Sequence, residues 1–166
     1  MTIGIIGIGS LTMELASRSV GAGYTVNIHN PRGNNLVRDV FEKMGSNIQL
    51  SSIEQASDTE IVILFAPKED LQQVILSMPD MSGKLIVHTS SLIFNPKSLL
   101  SSITNSITYK TTASMLPEAH IVKLFNPVNL KQNTLINHSR DDKKIFFMGD
   151  DRDSRNCIRT FLKNIK

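Results

Sequence analysis

Residues 2–16, TIGIIGIGSLTMELA, join an apolar run to a helix-like pattern through two glycines, and that junction sets the architecture of the whole chain. Ile3, Ile5, Ile6 and Ile8 form a short, β-branched, nearly unbroken apolar run, as expected of a central parallel strand covered on both faces. The run is interrupted at Gly7-Ile8-Gly9 and resumes from Ser10 through Leu11, Leu15 and Ala16 with helical spacing. Gly7 permits a tight exit from the strand. Gly9 lacks a Cβ, so a pyrophosphate can approach the backbone while a helix starting near Ser10 turns free N–H groups toward it. At the third position of this fingerprint, where a small residue normally lets helix and strand pack closely, stands Thr12; slightly wider packing or a rotated helix is expected. Taken alone, the stretch is also compatible with an ordinary glycine-bearing strand-to-helix turn. Its position inside a strand–helix–strand unit of the right length favours dinucleotide binding.

Downstream, the first helix ends around Gly21-Ala22-Gly23, and Tyr24–His29 reads as a second strand leading into the turn Asn30-Pro31-Arg32-Gly33-Asn34. Enzymes preferring NAD place a carboxylate here to bind the ribose 2′-hydroxyl, whereas a 2′-phosphate is repelled by an acid and bound by arginine. The turn has no acid and carries Arg32, which predicts NADP(H); the alternative is a solvated arginine in a plain turn.

The alternation continues. Asn35 is placed to cap a helix whose Leu36, Val37, Val40, Phe41 and Met44 share one face, with Gly45 as its stop. Ile48–Leu50 is a short strand, Ser52 and Gln55 form a capping box, and Ile61–Phe65 is a fourth strand ending at Ala66-Pro67. A helix carrying Leu71, Val74, Ile75 and Met78 precedes a fifth strand at Leu85–His88. Strands separated by helices imply right-handed crossovers and an α/β, doubly wound, mostly parallel sheet, a Rossmann fold, with ligand beyond the carboxyl ends of strands one and four.

The second half is less regular. The serine-rich stretch from Ser90 to Thr108, with Asn95-Pro96, is expected to be partly loop, and Thr111–Leu116 a short helix stopped by Pro117. Ile121–Phe125 reads as a strand ending at Asn126-Pro127, Asn129–Lys143 shows no clear period, and Ile145–Met148 is a further strand. Asp151 or Asp153 is placed to cap a final helix with Ile158, Phe161, Leu162 and Ile165 inward.

With 166 residues, 40% of them hydrophobic, the chain can build one compact core, so 1–166 is expected to be a single domain. Cys157 is alone, which leaves no intramolecular disulfide or cysteine-based metal cluster and fits a reducing, cytoplasmic compartment. Met1–Ile8 lacks the basic start of a signal peptide, and no stretch is long enough to cross a membrane. The net charge of +3 does not indicate nucleic acid, because the basic residues are scattered and aromatics are only 5%. Arg152, Arg155, Arg159 and Lys163 lie in a helical row that reads as a solvated face. His29, His120 and His138 share no ligand spacing with His88, so no metal site is expected. His88 is the one titratable residue placed to reach a site at the strand ends, although such a histidine is more often hydrogen-bonded to backbone. A lone sheet with apolar edges predicts a homodimer.

The chain resembles the NADP oxidoreductases that use the deazaflavin coenzyme F420. The resemblance lies in Gly7-Ile8-Gly9-Ser10-Leu11 with Leu15-Ala16, Asn30-Pro31-Arg32-Gly33, Ala66-Pro67, Leu116-Pro117-Glu118-Ala119, Val122-Lys123-Leu124-Phe125-Asn126 and Met148-Gly149-Asp150-Asp151. It implies NADPH binding and hydride exchange with a flavin or deazaflavin ring, a small-molecule redox acceptor. By position, Gly7, Ile8 and Gly9 form the turn, Ser10 and Leu11 would meet the pyrophosphate, and Asn30, Pro31 and Arg32 the 2′-phosphate. Ala66, Pro67, Thr89 and Asn126 would surround the nicotinamide. Three positions depart from the pattern: Thr12 for glycine, Pro31 for a small polar residue and Pro127 where threonine is common. Members of that family continue beyond the equivalent of the last helix, so part of the acceptor pocket is expected to be missing. A non-catalytic NADP(H)-binding, redox-sensing module is therefore the alternative.

Overall fold

The computed structural model describes residues 1–89, 93–94, 99–127, 146–149 and 151–165, with side chains over 1–89, 106–125, 147–149 and 151–165. Strands β1 (Thr2–Ile6), β2 (Thr25–His29), β3 (Ile48–Leu50), β4 (Ile61–Phe65) and β5 (Leu85–Thr89) are joined by helices α1 (Ser10–Gly21), α2 (Arg38–Glu42), α3 (Ile53–Ser57) and α4 (Leu71–Leu76). Then follow β6 (Ile93–Phe94), α5 (Leu99–Met115), β7 (His120–Pro127), β8 (Phe146–Gly149) and α6 (Arg152–Asn164). The strands neighbour one another in the order β3-β2-β1-β4-β5-β7-β6, and β8 pairs with β7. Among the described residues every pairing is parallel except β7 with β8. The doubly wound, mostly parallel α/β sheet expected from the alternation is thus present, with an antiparallel strand against β7 that the alternation did not foretell.

Side chains alternate across each strand, which divides the core in two. Ile3 and Ile5 join Val26, Ile28, Ile61 and Ile63 beneath Leu11, Leu15 and Ala16 of α1 and Ile158 and Phe161 of α6. On the other face, Ile6, Val62, Leu64 and Ile86 lie beneath Leu71, Val74 and Ile75 of α4 and Tyr109 of α5. Fully burying one such side chain contributes about 1.5–3 kcal/mol, so both faces of β1 are anchored several times over. Gly4 serves the second face differently: a Cβ there would lie 1.7 Å from the Ala56 carbonyl oxygen, so α3 rests directly on the strand backbone.

Local signals at helix starts carry over. Ser52 Oγ accepts from the Gln55 N–H and Gln55 Oε1 accepts from the Ser52 N–H, closing the expected box on α3. Asp151, not Asp153, caps α6 by accepting from the Ser154 N–H at 2.8 Å. In the basic row of α6, Arg155 donates to the Gly149 carbonyl and Arg159 lies 5.9 Å from the Phe147 ring centre, so part of that row braces β8.

Two helices differ from expectation. The helix expected from Asn35 to Met44 is split into a 3-10 turn at Asn34–Leu36 and the five-residue α2, and of its apolar residues Phe41 is buried while Leu36 and Val40 are exposed. Its cause is local. Asn34 accepts from the Asn30 N–H and donates to Ser51 O, tying the chain to the end of β3, and Val37 takes a non-helical φ of −124°. The short helix expected at Thr111–Leu116 is the end of α5, whose 17 residues begin within the stretch expected to be partly loop. Serine and threonine propensities are overridden by packing: Thr108, Tyr109 and Thr112 are buried against the sheet, and Thr112 returns its hydroxyl to Thr108 O. Asn95-Pro96 and Asn129–Lys143 lie outside the described residues.

Candidate functional site

The β1–α1 turn is built by close backbone approach. Gly7 has φ +89°, a conformation suited to glycine, and a Cβ on it would sit 1.8 Å from the Phe65 carbonyl oxygen. Its N–H donates to His29 O at 2.8 Å, fastening the turn between the ends of β2 and β4. Thr12 is 1% exposed, and its hydroxyl accepts from the Gly9 N–H at 2.8 Å while donating to the Gly9 carbonyl at 2.9 Å. The departure from the third glycine is therefore a hydroxyl clip that takes up one amide at the start of α1. Ser10 is exposed and Leu11 belongs to the core, so only the backbone of Leu11 is available to a ligand. The Phe65 ring covers Gly9: a Cβ there would lie 2.9 Å from it.

Beyond the carboxyl ends of β1, β2 and β4 lies a cavity of about 720 Å³. It brings together Gly7, Ile8, Asn30, Pro31, Arg32, Ala66 and Pro67 from the sequence-derived set. Its volume is within the range of small-molecule and cofactor sites. Asn30 is 7% exposed and spends its side chain on the turn, donating to Gly33 O and accepting from the Arg32 N–H, so its role is to shape the loop that presents Arg32. Ala66 and Pro67 share this cavity with Arg32. Sequence reasoning missed Phe65 and the cavity face of α4, where Asp70, Gln73, Val74 and Ser77 also line the wall. Their helical spacing is the available signal, but in the sequence Val74 reads only as one of the apolar residues of that helix.

His88 and Thr89 do not line this cavity, and the side chain of Asn126 lies outside the described ones. Thr89 is fully buried and donates to Leu64 O at 3.2 Å. Asn126, near the end of β7, pairs with Ile93 of β6. His88 is 1% exposed, and its Nδ1 lies 3.0 Å from the Thr112 hydroxyl beneath α5. Because that hydroxyl donates to Thr108 O, Nδ1 carries the proton and donates to Thr112. Burial, and secondarily the charge of Lys123, push His88 down to about 3, so it is neutral near pH 7. Lys123, opposite His88 in the β5–β7 register, is fully buried and donates to the Thr108 hydroxyl. Burial pushes it down to about 8, and among the described residues no carboxylate forms an ion pair with it. This hydrogen-bonded row was not foreseen as such. Lys123 was legible only as part of a strand motif.

The model of the family described as NADP oxidoreductase, coenzyme F420-dependent, matches residues 2–91, more than half of the chain. The chain belongs to this family. Those residues carry the glycine turn, the Arg32 turn and the cavity wall, so the matched part of the chain is the part that bears the family's NADP-binding features. A search of curated proteins finds no match. Among solved structures, a hypothetical protein, SMa0349, from Sinorhizobium meliloti superposes with a TM-score of 0.76 at 23% identity, over 99% of this chain and 82% of that one. A Streptomyces aurantiacus imine reductase gives 0.67 at 19% identity, over 100% of this chain and 53% of that one. A Mycobacterium tuberculosis 3-hydroxyisobutyrate dehydrogenase with L-serine gives 0.62 at 16% identity, over 99% and 51%. At these identities the likeness shows the fold. The chain spans about half the length of the reductase and of the dehydrogenase. No helix among the described residues is long and apolar enough to cross a membrane.

Proposed function

We propose that the protein binds NADPH in the cavity between the ends of β1, β2 and β4 and exchanges hydride with a flavin or deazaflavin-type ring. The observation that carries this reading is the cavity itself, which joins the Gly7 turn to Arg32. In this reading the backbone from Gly9 to Leu11 faces the pyrophosphate, and Arg32, held out by Asn30, forms charge-assisted bonds to the 2′-phosphate. The resemblance would put Thr89 and Asn126 near the nicotinamide, although Thr89 is buried at the end of β5, outside the cavity. Bound NADPH supplies the hydride.

For the protein, the remaining task is to hold two rings in register. Ketone reduction would need a proton donor at the developing alkoxide, and His88, buried and neutral, does not offer one. That supports a planar redox ring as acceptor over aldehydes, ketones and imines. The same observation favours the alternative, a non-catalytic NADP(H)-binding module that senses redox state. The reading extends to 1–166 as one NADP-binding Rossmann domain, in a cytoplasmic homodimer, consistent with a single cysteine and with exposed Leu36 and Val40.

Calorimetric titration tests the cofactor and stopped-flow oxidation of bound NADPH tests the acceptor. NADPH should bind more tightly than NADH, and Arg32→Ala should weaken NADPH roughly tenfold or more, the loss of one charge-assisted bond at about 1.5–3 kcal/mol. Equal affinities for both cofactors would refute the assignment of Arg32. Flavin or deazaflavin should be reduced and simple carbonyls left untouched; binding without any hydride transfer would select the sensing module.

A further inference from the structure

The turn after β2 contains no acid, yet the fold supplies one. Asp70 stands immediately before α4, nearly forty residues further along the chain, and its Oδ2 accepts from Arg32 Nη2 at 3.0 Å. Both residues line the cavity. At the residue preceding a helix, an aspartate ordinarily turns back to accept from the N–H groups of its own first turn. Asp70 makes no such bond: its backbone is already helical, at φ −94° and ψ −12°, and its carboxylate points to Arg32 instead. Gln73 and Val74 of α4 and Ser77 just beyond it line the same cavity wall.

We infer that Asp70 tunes cofactor choice by holding Arg32 across the cavity. This rests on the cofactor reading above. A 2′-phosphate must displace the carboxylate from Arg32 and then lie beside it, two anions sharing one guanidinium. A ribose bearing only hydroxyls meets no such competition and offers donors that a carboxylate accepts. Arg32 and Asp70 therefore act in opposite senses, and the native preference for NADPH is smaller than Arg32 alone would give. Asp70 is a specificity-determining residue, with no part in hydride transfer.

The test is calorimetric titration of native protein, Asp70→Asn, Arg32→Ala and the double variant with NADPH, NADH, 2′,5′-ADP and 5′-AMP at low salt. Asp70→Asn should tighten NADPH and 2′,5′-ADP roughly threefold to tenfold, the scale of releasing an exposed ion pair and one nearby negative charge, and should weaken NADH and 5′-AMP. In the Arg32→Ala background the gain for 2′,5′-ADP should shrink, because part of it acts through the freed guanidinium. If the native protein binds these nucleotides and Asp70→Asn leaves the NADPH-to-NADH ratio unchanged, the inference fails while the cofactor reading stands. If neither cofactor binds the native protein, both fail together.

Discussion

Replacing Lys123 by methionine, a side chain of similar reach without charge, tests the buried row beneath α5. Lys123 is fully buried and its ammonium is pushed from 10.5 to about 8, so at pH 7 the folded protein carries that charge at a disadvantage of roughly 3 kcal/mol relative to the unfolded chain, at 1.36 kcal/mol per pH unit. The variant loses the bond to the Thr108 hydroxyl, worth about 1.5–3 kcal/mol when the donor is charged. Lys123→Met should therefore be stabilised by up to about 1–2 kcal/mol at pH 7. The pH dependence is the sharper readout. Between pH 8 and 10.5 the unfolded lysine still holds a proton that the folded one has released, so native stability rises with pH by roughly 3 kcal/mol relative to the variant. Urea denaturation of both proteins at pH 7, 9 and 10.5 measures the difference. A variant several kcal/mol less stable than native at pH 7, with a gap that does not move with pH, would show that a carboxylate neutralises Lys123 and would refute this account.

Acidification should act on His88 in the same direction: its folded form resists protonation down to about 3, so stability should fall as pH drops below 6.5, by about 2 kcal/mol at pH 5, and His88→Gln should flatten that slope in denaturation curves. An unchanged slope would count against the burial of a neutral imidazole. Gly4→Ala should cost about 2–3 kcal/mol, because its Cβ must drive α3 off the strand, whereas Gly21→Ala, with open space around it, should be neutral or mildly stabilising in thermal melts. Gly9→Ala meets only the edge of the Phe65 ring, so it should keep a cooperative melt while weakening NADPH at least tenfold; undiminished binding would remove Gly9 from the site.

The strands and most helix starts were legible because their signals are local: β-branched runs such as Ile61–Phe65, the Ser52–Gln55 box, and Gly7 at a bend only glycine accepts readily. The failures arose where distant residues decide. Leu36 and Val40 have the spacing of a buried face, but Asn34 binds Ser51 and breaks the helix before that face forms. The serine- and threonine-rich start of α5 reads as loop until the sheet beneath Thr108 and Thr112 is in place. At the site, Arg32 was visible from its turn, and Asp70 was not, since nothing in the spacing of the two residues announces an ion pair.

Strand β1 lies between β2 and β4, and Gly4 pairs with Val62 across the second of these contacts. In synthesis order this apolar segment leaves the ribosome well before the partner that completes its hydrogen bonding. Until β4 follows, Ile3, Ile5 and Ile6 have one neighbouring strand at most and expose groups that end up fully buried. Loop closure over that distance precedes any return from the contact, so folding should be slow for a chain of this size and the emerging N-terminal half prone to aggregate. The glycine turn sits at the end of the same strand, and the cavity beside it lacks the wall made by Phe65, Ala66 and Pro67 until β4 has emerged. Cofactor binding thus becomes a late event in biogenesis, and nucleotide added to nascent chains should begin to protect them from protease only once β4 has emerged.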